Sequence, residues 1–144
     1  EMCIRDSYRD MKEVLALLKQ KGYVLGIVTS NLGDNVRIFL RNNDLEEMFD
    51  FVKAGTTLFG KNRIINRVLK EHTLKADEVI YVGDETRDIS AAKKSRLTMI
   101  SVAWGFSPPA ILQEYEPDFL VHQPKELLTA IASLDNHRWY PLKS

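Results

Sequence analysis

The run Val79-Ile80-Tyr81-Val82-Gly83-Asp84-Glu85-Thr86-Arg87-Asp88 constrains this chain more than any other stretch. Four β-branched or aromatic residues make a short apolar run that reads as a buried strand. Gly83 breaks the run, and two carboxylates follow at Asp84 and Asp88. Ile89, Ala91 and Ala92 then begin a helical pattern. In an open parallel α/β sheet, ligands bind in the crevice beyond the carboxyl ends of the strands. Two carboxylates placed there suit a hard cation such as Mg²⁺, which takes oxygen ligands and keeps several waters. The same residues also read as a helix start, because Asp is a favoured N-cap and acidic residues suit a first turn. The motif by itself leaves both readings open.

The flanking sequence supplies the architecture. From about Arg9 to Lys21, Met11, Val14, Leu15 and Leu18 recur at helical spacing, and Gly22 is a natural terminator. Tyr23 to Val28 reads as a strand closed by Thr29-Ser30-Asn31. A helix follows from about Gly33 to Asn42, and Leu45 to Met48 reads as a short helical turn. Phe49 to Lys53 reads as a second strand. A helix from about Asn62 to Glu71 buries Ile64, Ile65, Val68 and Leu69. After the acidic strand and its helix, the chain reads as a strand at Thr98 to Ala103 and a short helix from Pro108 to about Tyr115. A last strand at Phe119 to His122 precedes a closing helix from Pro124 to about Ser133. Repeated strand–helix alternation predicts an α/β fold, a parallel sheet with helices on both faces.

The totals exclude several classes. With 144 residues the chain fits one domain. Its 20 basic and 20 acidic residues give zero formal net charge, which argues against unspecific nucleic-acid binding. No apolar run approaches the roughly 20 residues of a membrane span. The lone Cys3 excludes an internal disulfide and agrees with a cytoplasmic setting. No Gly-x-Gly-x-x-Gly follows the first strand and no Gly-x-x-x-x-Gly-Lys-Ser/Thr occurs, against a nucleotide-binding domain.

Gly83-Asp84-x-x-x-Asp88 after a buried strand resembles the fourth motif of the haloacid-dehalogenase-like (HAD) phosphatases. The run from Glu78 to Phe106 is most similar to their phosphoglycolate-phosphatase-type branch. Ile27-Val28-Thr29-Ser30-Asn31 resembles the second motif, a strand end whose hydroxyl and following N–H hold a phosphate oxygen. An anion at that place gains backbone donors and a favourable helix dipole, although these residues also read as a helix cap. Gly60-Lys61 resembles the third motif, with a lysine that offsets phosphate charge, followed here by Asn62 where many relatives have Pro. A lone lysine is also an ordinary solvated side chain, and Lys53 is a second candidate for the role. The four motif positions come in family order, and the resemblance covers roughly residues 9 to 134.

The resemblance implies a Rossmann-like HAD core and a Mg²⁺-dependent phosphatase acting on a small phosphorylated metabolite. It implies catalytic and phosphate-holding roles for Thr29 and Lys61, phosphate binding by Ser30 and Asn31, and Mg²⁺ on Asp84 and Asp88. It also defines a departure. The family begins with a strand carrying Asp-x-Asp, whose first Asp attacks phosphorus, followed by a helical cap. Neither is found here: Asp6 and Asp10 are four apart with no apolar strand before them. The chain does not begin with Met, and Glu1 to Ser7 reads either as a junction foreign to the family or as a frayed terminus. The expectation is therefore a non-family or disordered stretch over residues 1–8, a partial core over 9–134 lacking the central nucleophile strand, and a tail over 135–144. A non-catalytic phosphate- or metal-binding or interaction domain is the alternative.

A missing central strand has a geometric consequence. The resemblance implies that this strand lies between the Thr29 and Asp84 strands; neighbouring strands are about 4.8 Å apart, so its loss would leave those two about 10 Å apart. Three outcomes are open: the two halves pair directly, the N-terminal stretch fills the slot, or two sheet edges stay exposed and the fragment is unstable.

Overall fold

A computed structural model of the chain describes residues 4–29, 38, 40–42, 45–54, 61–105 and 107–138. It contains helix α1 (Ile4–Gln20), strand β1 (Gly26–Thr29), strand β2 (Phe51–Ala54) and helix α2 (Lys61–Glu71). Strand β3 (Ile80–Gly83), helix α3 (Thr86–Lys94), strand β4 (Thr98–Val102) and helix α4 (Pro109–Glu114) follow. Strand β5 (Phe119–Val121) and helix α5 (Glu126–Arg138) complete the order. Residues 38 and 40–42 are helical, and Glu46–Met48 and Ala76–Glu78 are 3₁₀ turns.

All strand pairs are parallel, but they fall into two sheets, β1-β2 and β3-β4-β5. Among the described residues β1 and β3 do not pair, so the direct-pairing outcome does not occur. Nor does the N-terminal stretch supply a strand between them, because it is helical from Ile4. That start lies five residues ahead of the one read from Arg9. Once a helix is nucleated, each added residue gains a hydrogen bond for one fixed residue, so an amphipathic helix propagates past its apolar stripe.

Both faces carry helices. On one face Val14 and Leu18 of α1 and Leu127, Ala130 and Ile131 of α5 pack against Ile100, Val102 and Val121. On the other, Ile65 of α2, Ile89, Ala91 and Ala92 of α3 and Leu112 pack with Met99. Consecutive residues of β4 thus point to opposite cores, and all five are buried, as expected for a parallel strand covered twice. The two sheets share these layers. Leu25, just before β1, joins the first cluster with Ile80, and Val28 joins the second with Tyr81.

Strand β1 starts at Gly26 rather than Tyr23 because Asp50 intervenes. Its carboxylate accepts the Leu25 N–H at 2.9 Å, and its own N–H donates to the Leu25 carbonyl at 2.7 Å. Lys19 of α1 donates to the same carboxylate at 2.7 Å.

Three helices close with one turn type. After α1, α2 and α3, a residue takes the left-handed conformation: Gly22 (φ 93°), Thr73 (φ 54°) and Arg96 (φ 60°). The next N–H returns to the helix: Tyr23 to Leu18 O, Leu74 to Leu69 O and Leu97 to Ala92 O, at 3.2, 2.8 and 2.9 Å. These are Schellman closures, and glycine is the usual residue at the left-handed position.

Candidate active site

The acidic loop is built from its inside outward. Residues along β3 alternate between the two faces, so Tyr81 and Gly83 share the face on which α3 begins. A Cβ on Gly83 would sit 2.5 Å from Oδ2 and 2.6 Å from Cβ of Asp88. Only glycine lets the first turn of α3 approach so closely. Asp88 is 3% exposed. Its Oδ2 accepts the backbone N–H groups of Asp84 (3.2 Å) and Glu85 (3.1 Å), and its Oδ1 accepts the Tyr81 O–H at 3.3 Å. A buried carboxylate is tolerated when such donors replace water. Burial, and next the charge of Asp88, hold the Tyr81 phenol well above its ordinary 10.0, so it stays protonated and donating.

Asp84 lies one step outward and is half-buried. Strands β3 and β4 end side by side, with Gly83 opposite Ser101, so the loops that follow them meet. The Ser107 N–H donates to the Asp84 carbonyl at 3.0 Å. Gly105 lies against the Asp84 side chain: a Cβ there would overlap Cβ, Cγ and Oδ2 of Asp84. The two carboxylates therefore have different places. Asp88 is turned inward and organises the loop, and Asp84 stands at its outer side.

The other sequence candidates are placed as follows. Thr29 is the last residue of β1 and Lys61 the first of α2. Ser30 and Asn31 lie outside the described residues. Lys53, the second candidate for the phosphate lysine, has its ammonium 3.0 Å from both carboxylate oxygens of Glu71. Arg87 pairs with Glu85 Oε2, at 3.1 Å through Nε and 2.8 Å through Nη2. That pair raises the Arg87 pKa further and leaves Glu85 engaged beside the loop. Trp104 packs on the first core cluster, as its aromatic character suggests. His72 stacks on Phe51 with ring centroids 4.5 Å apart.

Among the described residues no group of three or more His, Cys, Asp or Glu side chains could hold a metal ion. What is present fits part of a Mg²⁺ site, because Mg²⁺ is commonly held by one or two carboxylates, with waters and substrate phosphate filling the rest. Two contacts escaped the sequence reading, Tyr81 to Asp88 and Gly105 to Asp84. The first had a signal, as Tyr81 is the one polar-tipped residue in an aliphatic run and shares a face with Gly83. The second joins two loops that only the β3–β4 register brings together.

A family model, haloacid dehalogenase-like hydrolase, matches residues 5–102. The chain belongs to this family. It is 36% identical over 122 residues to a phosphoglycolate phosphatase from Synechococcus elongatus, covering 85% of this chain and 58% of that protein. It is 26% identical over 136 residues to pyrophosphatase PpaX from Bacillus thuringiensis, covering 90% of this chain and 62% of that one. A haloacid dehalogenase-like hydrolase from Streptococcus pneumoniae superposes with a TM-score of 0.77 at 26% identity, covering 83% of this chain and 57% of that structure. The family is one of hydrolases and phosphatases; the α/β architecture read from the strand–helix alternation is observed, and it matches the Rossmann-like core that the resemblance implies. The chain spans less than two thirds of the length of these relatives.

Proposed function

We propose that the protein is a Mg²⁺-dependent phosphoric monoester hydrolase acting on a small phosphorylated metabolite, with a substrate similar to that of phosphoglycolate phosphatase. One observation carries the reading: an acidic loop at the carboxyl end of a parallel strand, held by a buried carboxylate with three donors. Thr29 and Lys61, with Ser30 and Asn31, bind the phosphate by hydroxyl, backbone N–H and ammonium groups. Asp84, with Asp88 behind it, holds the metal. Mg²⁺, when bound, offsets charge on the phosphoryl oxygens. Fixing Asp84 in advance means that no reorganisation is needed as that charge develops.

The attacking Asp is not among these 144 residues, and so the chain alone is expected to be inactive. The same absence favours the second reading, a non-catalytic phosphate- or metal-binding or interaction domain. No helix among the described residues is long and apolar enough to cross a membrane; a cytoplasmic setting belongs to this proposal.

The coding DNA upstream of residue 1 separates the two readings. An in-frame Asp-x-Asp with a helical cap region supports the phosphatase. The protein expressed with that region should hydrolyse phosphoglycolate only with Mg²⁺, and lose activity on Asp84→Asn or Lys61→Met. The 144-residue chain should show no Mg²⁺-dependent hydrolysis of p-nitrophenyl phosphate. Turnover by this chain that disappears on Asp84→Asn would refute the division of the site.

A further inference from the structure

We propose that Gly105 is a positioning residue for Asp84: the turn after β4 is a wall that sets the direction of the Asp84 carboxylate, and any side chain at 105 displaces it. The proposal rests on the reading of Asp84 as the carboxylate that meets the metal, and adds what aims it.

Three observations support it. A Cβ at 105 would overlap three atoms of Asp84, its Cβ, Cγ and Oδ2, and no neighbour other than Asp84 is among the three nearest atoms. The wall is tied to the loop that it faces, through the Ser107 N–H to the Asp84 carbonyl at 3.0 Å, and Ser107 is itself buried. Finally, the usual reasons for glycine do not apply. Gly105 is not in the positive-φ region, unlike Gly22, and it is exposed, so no core atom on its outer side demands a small residue. What remains is the close approach of Asp84, a use of glycine that depends on the missing Cβ rather than on backbone freedom.

The two walls of Asp84 then have separate tasks. Asp88 holds the backbone of residues 84 and 85 from within. Gly105 restricts the side chain from without. A displaced carboxylate keeps its charge but not its direction, and groups that orient a metal ligand are worth much of the affinity.

The test uses the full chain, isotopically labelled, with Gly105→Ala, Asp84→Asn and the pair Asp84→Gly with and without Gly105→Ala. Three-bond couplings report the Asp84 χ1 rotamer, and titration with Mn²⁺ reports affinity. In Gly105→Ala the Asp84 couplings should change, and Mn²⁺ affinity should fall about tenfold. Gly105→Ala should lower the unfolding midpoint in the parent but not in the Asp84→Gly chain, where the overlapping atoms are gone. This comparison also covers a Gly105→Ala chain too unstable for titration. Unchanged couplings with unchanged affinity would overturn the proposal, and so would an equal loss of midpoint in both backgrounds. If Asp84→Asn binds Mn²⁺ as tightly as the parent, the metal reading of Asp84 fails, and the couplings and midpoints still decide the role of Gly105.

Discussion

The β3-β4-β5 sheet and the β1-β2 sheet are built from similar short apolar strands, yet they are packed to different degrees. In β4 all five residues are buried, and Ile100 and Ser101 are 0% exposed. In β1 and β2 the described side chains are half-buried or exposed, and Val24, just before β1, is 72% exposed. The difference lies in neighbours rather than composition. Strand β4 has a partner on each side and a helix layer on each face, whereas β1 has one partner among the described residues. Strand β3 also has one partner among the described residues, and there Val82 is 42% exposed. The candidate site draws on both sheets. Asp84 leaves the well-packed one and is fixed by Asp88, Ser107 and Gly105 within this chain. Thr29 leaves the sparsely packed one. One half of the candidate site is held locally, and the other follows a strand with one partner among the described residues.

The largest expected effect tests this contrast directly. Ile100→Ala should cost about 2–5 kcal/mol, as for other fully buried large-to-small changes, and Ile27→Ala clearly less. Urea unfolding measures both, and equal losses would break the comparison. Asp88→Asn should cost about 1–3 kcal/mol, because the neutral amide loses the charge assistance of the two N–H bonds and must turn the Tyr81 hydroxyl from donor to acceptor. Hydrogen exchange should then speed up at the amides of Asp84 and Glu85 before it does so in β1; the reverse order would mean that the loop is not the better-held half.

Asp50 tests the other sheet. The hydrogen bond from Lys19, and next that from the Leu25 N–H, hold its carboxyl below the ordinary 3.8. A folded-state pKa below the unfolded one stabilises the protein above the unfolded value, and that share is lost as pH falls through the folded pKa. Asp50→Asn should therefore flatten the acid limb of the stability profile below 3.8, read by unfolding at a series of pH values. An unchanged limb would mean that this tie between α1 and the two-stranded sheet carries no weight. The smallest effect concerns the edge of β3 that has no strand partner among the described residues. Val82→Lys should change stability by no more than about 0.5 kcal/mol, while a charge on an edge strand should reduce self-association seen by light scattering. Undiminished association would locate the adhesive surface elsewhere.

Much of the fold was legible because one period carries it. The stripe of α1 placed Val14 and Leu18 in the core, and the stripe of α2 placed Ile64, Ile65 and Val68 there. Helix α3 was legible as the helix after the acidic strand because Gly83 and the following carboxylates mark its start. Strand limits moved where a side chain competed for backbone groups, as Asp50 does at Leu25. Helix α5 ran past Ser133 to Arg138 because an apolar stripe marks where a helix must be buried, not where it must stop. The order of Thr29, Lys61, Asp84 and Asp88 pointed to a candidate site as a pattern, but the distinct placement of the two aspartates was not legible. It depends on Tyr81 and Gly105, whose effects pass through strand register rather than local sequence.

The Schellman closures have a consequence for how this protein can change. Thr73 and Arg96 occupy positions where an L-residue is disfavoured by about 1–2 kcal/mol, and Thr73 is β-branched as well. Glycine gives back part of that gain through its larger unfolded-state entropy, so Thr73→Gly should raise stability by about 0.5–1 kcal/mol, visible as a higher thermal midpoint. These turns precede β3 and β4, at the end of the sheet remote from Asp84. Robustness and the candidate site thus lie at opposite ends of the sheet, and heat tolerance can be altered at one end without redrawing the other.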